Sequence, residues 1–187
     1  MDKKTYYAHN DELFKLRAEQ LHGLFNFLNN HINLTGQIVV SVGCGVAADL
    51  HLLKGRYSQK IGIDANSSVI DYCKKQQHAK FIHARHSKAL DDFADNSVDM
   101  LLALDIDSHI LPQQFIKQAL PKLKKNGTLI LTERQHNEQI YHRMLLLPFI
   151  EEIKEQNKQH NIKVFTRLHD ENLEHDRDNV VLIVTKQ

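Results

Sequence analysis

Short apolar runs recur through the middle of the chain: QIVVSV (37–42), KIGID (60–64), KFIHA (80–84), VDMLLAL (98–104) and GTLILT (127–132). Between them lie AADLHLLK, SSVIDYCKKQ and QQFIKQALPKLKK, each of helical character, so the order reads strand, helix, strand, helix. Strands that are near-continuously apolar are buried on both faces, and the pattern predicts a parallel sheet covered by helices on each side. After Thr132 a long helical stretch, NEQIYHRMLLLPFIEEIKEQNKQ, precedes two more strand candidates, IKVFTRL (162–168) and VVLIVT (180–185). The eleven residues joining these two, HDENLEHDRDN, are too few for a crossover helix of ordinary length, so the pair is predicted as antiparallel neighbours.

Ahead of the first strand, Leu13, Leu16, Leu21, Leu24 and Leu28 recur at helical spacing. They predict an amphipathic helix over 11–30, with Asp11 capping its start and Asn29 and Asn30 suited to its end. A chain of 187 residues buries about 70% of its unfolded surface as one domain of ordinary size. We expect a single domain, 1–187, with residues 1–35 as an N-terminal helical cap and 36–187 as the core.

The longest apolar runs fall well short of the ~20 residues that cross a bilayer, and the MDKKTYYAHNDE start has no apolar signal segment. A cytoplasmic protein without membrane spans is expected. Cys44 and Cys73 offer no ladder of disulfides and no paired metal ligands, which fits a reducing compartment. With 24 Lys and Arg against 23 Asp and Glu, the formal charge of +1 supplies no global field for a phosphate backbone, so nucleic acid is disfavoured as a partner. The thirteen histidines include His83 and His86, but no cysteines accompany them and no HExxH pattern occurs, so no metal site is expected.

The first strand runs into VSVGCGVAAD, a run of small residues that opens a helix. Such a turn presents backbone N–H groups at a helix start, where missing side chains let a ligand approach the main chain. Asp64 closes the second strand twenty-one residues beyond Gly43, and a carboxylate at an adjacent strand tip accepts both hydroxyls of a ribose. The pair points to a nucleoside. GCGVAA satisfies G-x-G-x-x-A, which with its acid also fits a dinucleotide fingerprint. A dinucleotide site usually needs a second mononucleotide-binding half, whereas this chain finishes with a hairpin.

From about Tyr6 onward the sequence resembles the class I S-adenosylmethionine-dependent methyltransferases. The blocks that carry the resemblance are IVVSVGCGVA, IGIDA, NSVDMLLAL and LPKLKKNGTLILTE, standing for the family's VLDxGCGxG, GxD, FD and LkpGG. It implies an α/β fold, a Rossmann-like three-layer sandwich whose seven-stranded sheet is mostly parallel with an antiparallel last strand, and it coincides with the hairpin inferred above. It implies S-adenosyl-L-methionine as the cofactor, held by Ser41, Gly43, Cys44 and Gly45 in the turn, by Asp64 and Ala65 after the second strand, by Arg85 and His86 after the third, and by Leu104 at the fourth. TYYAHNDELF resembles a segment that folds a tyrosine over the pocket, so Tyr6 or Tyr7 either shields the sulfonium through a cation-π contact or staples the first helix to the sheet.

Three positions depart from the family pattern. Ser41 stands where an acid is usual, and brings a hydrogen bond but no charge to the cofactor's ammonium. Ala47 stands where a third glycine is usual. Arg85 is nearest in register to an aspartate that holds the adenine amino group; it has no acceptor, so a backbone carbonyl or Ser87 must serve.

Methyl transfer is an in-line displacement for which positioning supplies much of the acceleration, and the family has no universal catalytic residue. Candidates come from ALDIDSHI at the tip of the fourth strand, since sites on such sheets lie outside the carboxyl ends of the strands. Asp105 or Asp107 would orient or deprotonate the acceptor, while Asp107 or Ser108 also suits a helix cap. His109 serves either as a base or as a packing and hydrogen-bonding residue. Asp105 and Asp107 with Glu133 are also similar to metal-dependent catechol-type methyltransferases, but the Asp-Asn pair expected after the fifth strand is missing.

The resulting expectation is an enzyme that methylates a small molecule. Its rivals are a module of the same fold that binds the cofactor or supports a partner without turnover, and a nicotinamide-dependent oxidoreductase. The acceptor and the oligomeric state are not specified by the sequence.

Overall fold

The structure is a computed structural model that describes residues 3–76, 78–105, 112–134, 149–166 and 179–187. Its elements are α1 (Lys3–His31), β1 (Gly36–Val42), α2 (Ala48–Leu52), β2 (Tyr57–Asp64), α3 (Ser67–Gln76), β3 (Lys80–His83), a 3₁₀ turn (His86–Lys88), β4 (Val98–Ala103), α4 (Pro112–Lys122), β5 (Leu123–Arg134), α5 (Ile150–Gln156), β6 (Asn161–Thr166) and β7 (Asn179–Thr185). The strands join in one sheet in the order β3-β2-β1-β4-β5-β7-β6. β1 pairs in parallel with β2, β2 with β3, and β4 with β5. β7 runs antiparallel to both β5 and β6. This is the expected Rossmann-like α/β sheet, and β6 with β7 form the antiparallel pair that the short connection requires.

By compactness the chain divides into two units, Met1–Ala89 and Leu90–Gln187. In the first, β1 and β2 pair Val40 with Ile61, Ser41 with Gly62 and Val42 with Ile63. Val39, Val40 and Leu50 are fully buried, as strands and helices packed on both sides require.

α1 begins at Lys3, eight residues before the predicted start, so Asp11 lies inside the helix and caps nothing. Its carboxylate instead accepts the Tyr72 hydroxyl of α3 at 2.8 Å. The buried stripe runs through Asn10, Leu21, Leu24 and Leu28, with Phe14 edge-on to His51 of α2 at 5.2 Å between ring centroids. Leu13 and Leu16 are 38% and 51% exposed, contrary to the predicted stripe. Leu16 lies about 140° around the helix from Leu21, on the other side, whereas Leu13 is within about 20° of Leu24 and sits at the open edge of the stripe.

In the second unit β5 begins four residues earlier than predicted, at Leu123. Val98 pairs with Leu123 and Met100 with Thr128, so five residues of β5 are taken up where β4 advances by two. Asn126, at φ 64°, lies in this irregularity. The helical stretch predicted over 137–159 is α5 in its described part; 135–148 and the connection at 167–178 lie outside the described residues. Among the described residues no helix is long and apolar enough to cross a membrane.

Candidate functional site

β1 runs out at Val42 into a turn in which Gly43 and Gly45 have φ of 71° and 50°, the left-handed region that a Cβ disfavours. Among the described residues, a Cβ added to either would meet nothing within 4 Å, which leaves the main chain open to the approach of a ligand. The amides of Gly43 and Cys44 both donate to the Ile63 carbonyl, at 2.8 and 3.0 Å. The Gly45 amide donates to Asp64 Oδ2 at 2.9 Å, and the Asn66 amide to Asp64 Oδ1 at 2.8 Å. Asp64 is half-buried. The end of β2 thus holds the turn after β1 through both its backbone and its carboxylate.

Beneath the turn, the Gly45 carbonyl accepts Cys73 Sγ of α3 at 3.3 Å and Cys44 Sγ at 3.7 Å. Burial, with Asp49 next in effect, drives the Cys44 thiol far above its ordinary range and pushes Cys73 up to about 12. Both thiols therefore stay protonated at neutral pH and act as donors rather than nucleophiles. Gly62 makes room for this packing. A Cβ there would stand 2.8 Å from the Phe81 ring and 2.9 Å from Cys44 Sγ.

Ala47 keeps the glycine-like conformation of the family turn, with φ 59° and ψ 33°, although it carries a Cβ. Ser41 is 1% exposed, and its hydroxyl donates to Asp49 Oδ2 at 2.5 Å. Asp49, on α2, is 4% exposed, and its Oδ1 accepts the Leu50 amide at 2.8 Å. Desolvation by burial raises the Asp49 pKa, against the lowering effect of the Ser41 hydrogen bond. Inspection of the sequence missed Asp49 because it followed the acid position of the first strand and not the helix face eight residues on.

On the other side of β2, Asp64 is in register with His83 of β3. The His83 ring hydrogen-bonds the exposed Ala65 carbonyl through Nε2 at 2.9 Å. Arg85 is exposed and extended, and its carbonyl accepts the Lys88 amide at 2.9 Å to start the 3₁₀ turn. His86 is half-buried, and its carbonyl accepts the Ala89 amide at 3.2 Å. His83, weighed from the sequence only as a metal ligand and set aside, is the β3 residue that reaches the Asp64–Ala65 tip. Among the described residues no three His, Cys, Asp or Glu side chains are grouped to hold a metal ion.

The family model described as a methyltransferase domain matches residues 40–131, from β1 through most of β5. The match takes in just under half of the chain and supports the class I S-adenosylmethionine-dependent methyltransferase family. Among solved structures, it is similar to a SAM-dependent methyltransferase from Archaeoglobus fulgidus, at 14% identity and TM-score 0.71 over 92% of this chain and 94% of that one. It is similar to phosphoethanolamine N-methyltransferase 2 from Haemonchus contortus, solved with phosphomonomethylethanolamine and S-adenosylhomocysteine, at 14% identity and TM-score 0.68 over 88% of this chain. This chain spans about half of the Haemonchus protein, 52% of its length. A putative methyltransferase from Haloferax volcanii, solved with the Trm112 methyltransferase activator, aligns at 12% identity and TM-score 0.70 over 97% of this chain and 94% of that one. These identities establish a shared fold. No curated protein sequence matches the chain.

Of the other residues that the family resemblance singled out, Leu104 and Asp105 follow β4 in the second unit, and both are half-buried. The Asp105 amide donates to Thr132 Oγ1 of β5 at 2.8 Å, and that hydroxyl lies 3.3 Å from Asp105 Oδ1. Asp105 has φ 55°, a left-handed conformation that aspartate tolerates better than most residues. Asp107 and His109 lie outside the described residues, as does the side chain of Tyr7, whose backbone is in α1.

Proposed function

We propose that this methyltransferase-family chain binds S-adenosyl-L-methionine at the turn after β1 and transfers its methyl group to a small-molecule acceptor. The observation that carries the reading is the Gly45–Asp64 contact: an acid at the β2 tip lies against the backbone of a left-handed glycine turn. The donors and acceptors present fit the cofactor. Asp64 is a half-buried carboxylate with lone pairs beyond its two amide contacts, suited to ribose hydroxyls. Gly43, Cys44 and Gly45 bring main chain rather than side chain to the ligand. Ala65, Arg85 and His86 are assigned to the adenine end, with backbone carbonyls as its acceptors because the Arg85 guanidinium has none to offer.

When bound, the cofactor supplies an electrophilic methyl group on a sulfonium sulfur. The protein's part is then orientation and exclusion of water. In the second unit Leu104 is assigned to the cofactor and Asp105, Asp107 and His109 to the acceptor. Thr132 fixes Asp105 in one orientation, as a group that positions an acceptor requires. Tyr7 is assigned to shielding the sulfonium. This reading takes residues 1–187 as one working domain, and the free thiols of Cys44 and Cys73 suit a reducing, cytoplasmic setting.

The small acceptor draws support from the Haemonchus relative, whose substrate is a phosphorylated amino alcohol. Its test is incubation with methyl-labelled S-adenosylmethionine and a cell extract divided by size. Label in the small-molecule fraction is expected. Label that appears only when protein or nucleic acid is restored would overturn the small acceptor and retain the transferase. A second reading, a partner-dependent form of the same enzyme, is favoured by the Haloferax relative, which was solved with an activator. Full turnover by the purified chain alone would exclude it.

A further inference from the structure

We propose that Asp49 carries the negative charge that Ser41 lacks, and that it sets the affinity of the turn for the ammonium end of the cofactor. This rests on the cofactor assignment made above. The carboxylate is supplied from α2 instead of β1, eight residues along the chain, and it reaches Ser41 directly, Oγ to Oδ2 at 2.5 Å. Ser41 lies two residues before Gly43, so the pair sits under the first residues of the turn. The single hydroxyl proton of Ser41 is used in donating to Asp49, which leaves Ser41 with acceptor capacity only. The pair is buried, Ser41 at 1% and Asp49 at 4% exposed, so its charge acts on an ammonium at the turn from beneath.

Burying a charged acid is costly unless it is paired and hydrogen-bonded. An uncharged residue could fill the position, yet Asp49 is 4% exposed and carries two hydrogen bonds that hold its two oxygens apart, one toward Ser41 and one toward the Leu50 amide. The groups that face it from packed elements are Arg17 of α1, the thiol of Cys44 in the turn and the thiol of Cys73 of α3. Both thiols are neutral, so Arg17 is the cation that a bound ammonium would join. In surroundings this poor in water a charge is felt over several ångströms, so Asp49 does not need to touch the ligand. It is a positioning residue.

The test uses the whole chain and isothermal titration with two ligands, S-adenosylhomocysteine and 5′-methylthioadenosine. Both present an adenosine and a thioether, and only the first carries the amino acid. Asp49→Asn is expected to weaken S-adenosylhomocysteine about tenfold or more and to leave 5′-methylthioadenosine within about twofold. Adding Ser41→Asp to that variant is expected to restore S-adenosylhomocysteine, since the charge returns to the β1 position. Asp49→Ser removes the same charge with a smaller side chain and carries the same expectation should the Asp49→Asn chain fail to fold. Equal weakening of both ligands, or no weakening of either, overturns the role of Asp49 and leaves the cofactor assignment standing. A wild-type chain that binds neither ligand overturns both.

Discussion

The Gly45 amide donates to Asp64 Oδ2 at 2.9 Å, so the turn after β1 is fastened to the end of β2 by the carboxylate assigned to the ribose. Asp64→Ala removes that acceptor and the one for the Asn66 amide at once. Affinity for S-adenosylhomocysteine is expected to fall by about 1.5–3 kcal/mol, the usual loss for hydrogen bonds to a charged group. Titration calorimetry on the variant measures this, and unchanged affinity would mean that the ribose is placed wrongly.

Asp49 should trade stability for binding. Its pKa is raised in the folded chain, chiefly by burial. A group of this sign gives its full stability below the unfolded pKa of about 3.9 and loses it as pH rises through the folded value. Ionisation of the acid is therefore a cost to the folded chain. Asp49→Asn is expected to raise the Tm of the ligand-free chain at neutral pH, with the gain shrinking as pH falls toward 4 and below. Thermal melts across that range decide it, and a lower Tm at every pH would mark Asp49 as a purely structural residue.

Ala47 sits at φ 59° with its methyl fully buried. Relief of the left-handed strain is worth about 1–2 kcal/mol, and loss of the methyl burial costs about 0.8 kcal/mol. Ala47→Gly should consequently stabilise the chain by about 0.5 kcal/mol. Urea unfolding with an unchanged m-value is the measurement, and destabilisation would contradict the strain.

Gly62→Ala should do the opposite. The added Cβ would lie 2.8 Å from the Phe81 ring and 2.9 Å from Cys44 Sγ, and both neighbours are buried. Overpacking of this kind costs about 1–3 kcal/mol, and it would also lift Cys44 against the turn. Denaturant unfolding should show the loss, together with weaker cofactor binding than the stability change alone explains.

Buried parallel strands announce themselves, which is why β1 to β4 were legible as apolar runs to within a few residues. β5 was cut short because Lys124, Lys125 and Asn126 read as polar connection, whereas the irregular register against β4 lets them continue the strand. Leucine spacing alone could not tell that Leu13, which lies beside Leu24 in angle, stays exposed; that depends on which face α2 and α3 cover. At the site, Gly43, Gly45 and Asp64 were readable because backbone conformation and strand order demand them. Asp49 and His83 were not, since each acts through a partner, Ser41 or Ala65, that only the folded register brings near.

Titration of the purified, unmodified chain with S-adenosylhomocysteine tests the central claim most directly. Saturable binding at one site per chain is expected, weakened by Asp64→Ala and unaffected by added NADH. No heat of binding at millimolar ligand, with the chain shown to be folded, would contradict the assignment of the glycine turn and Asp64 to this cofactor.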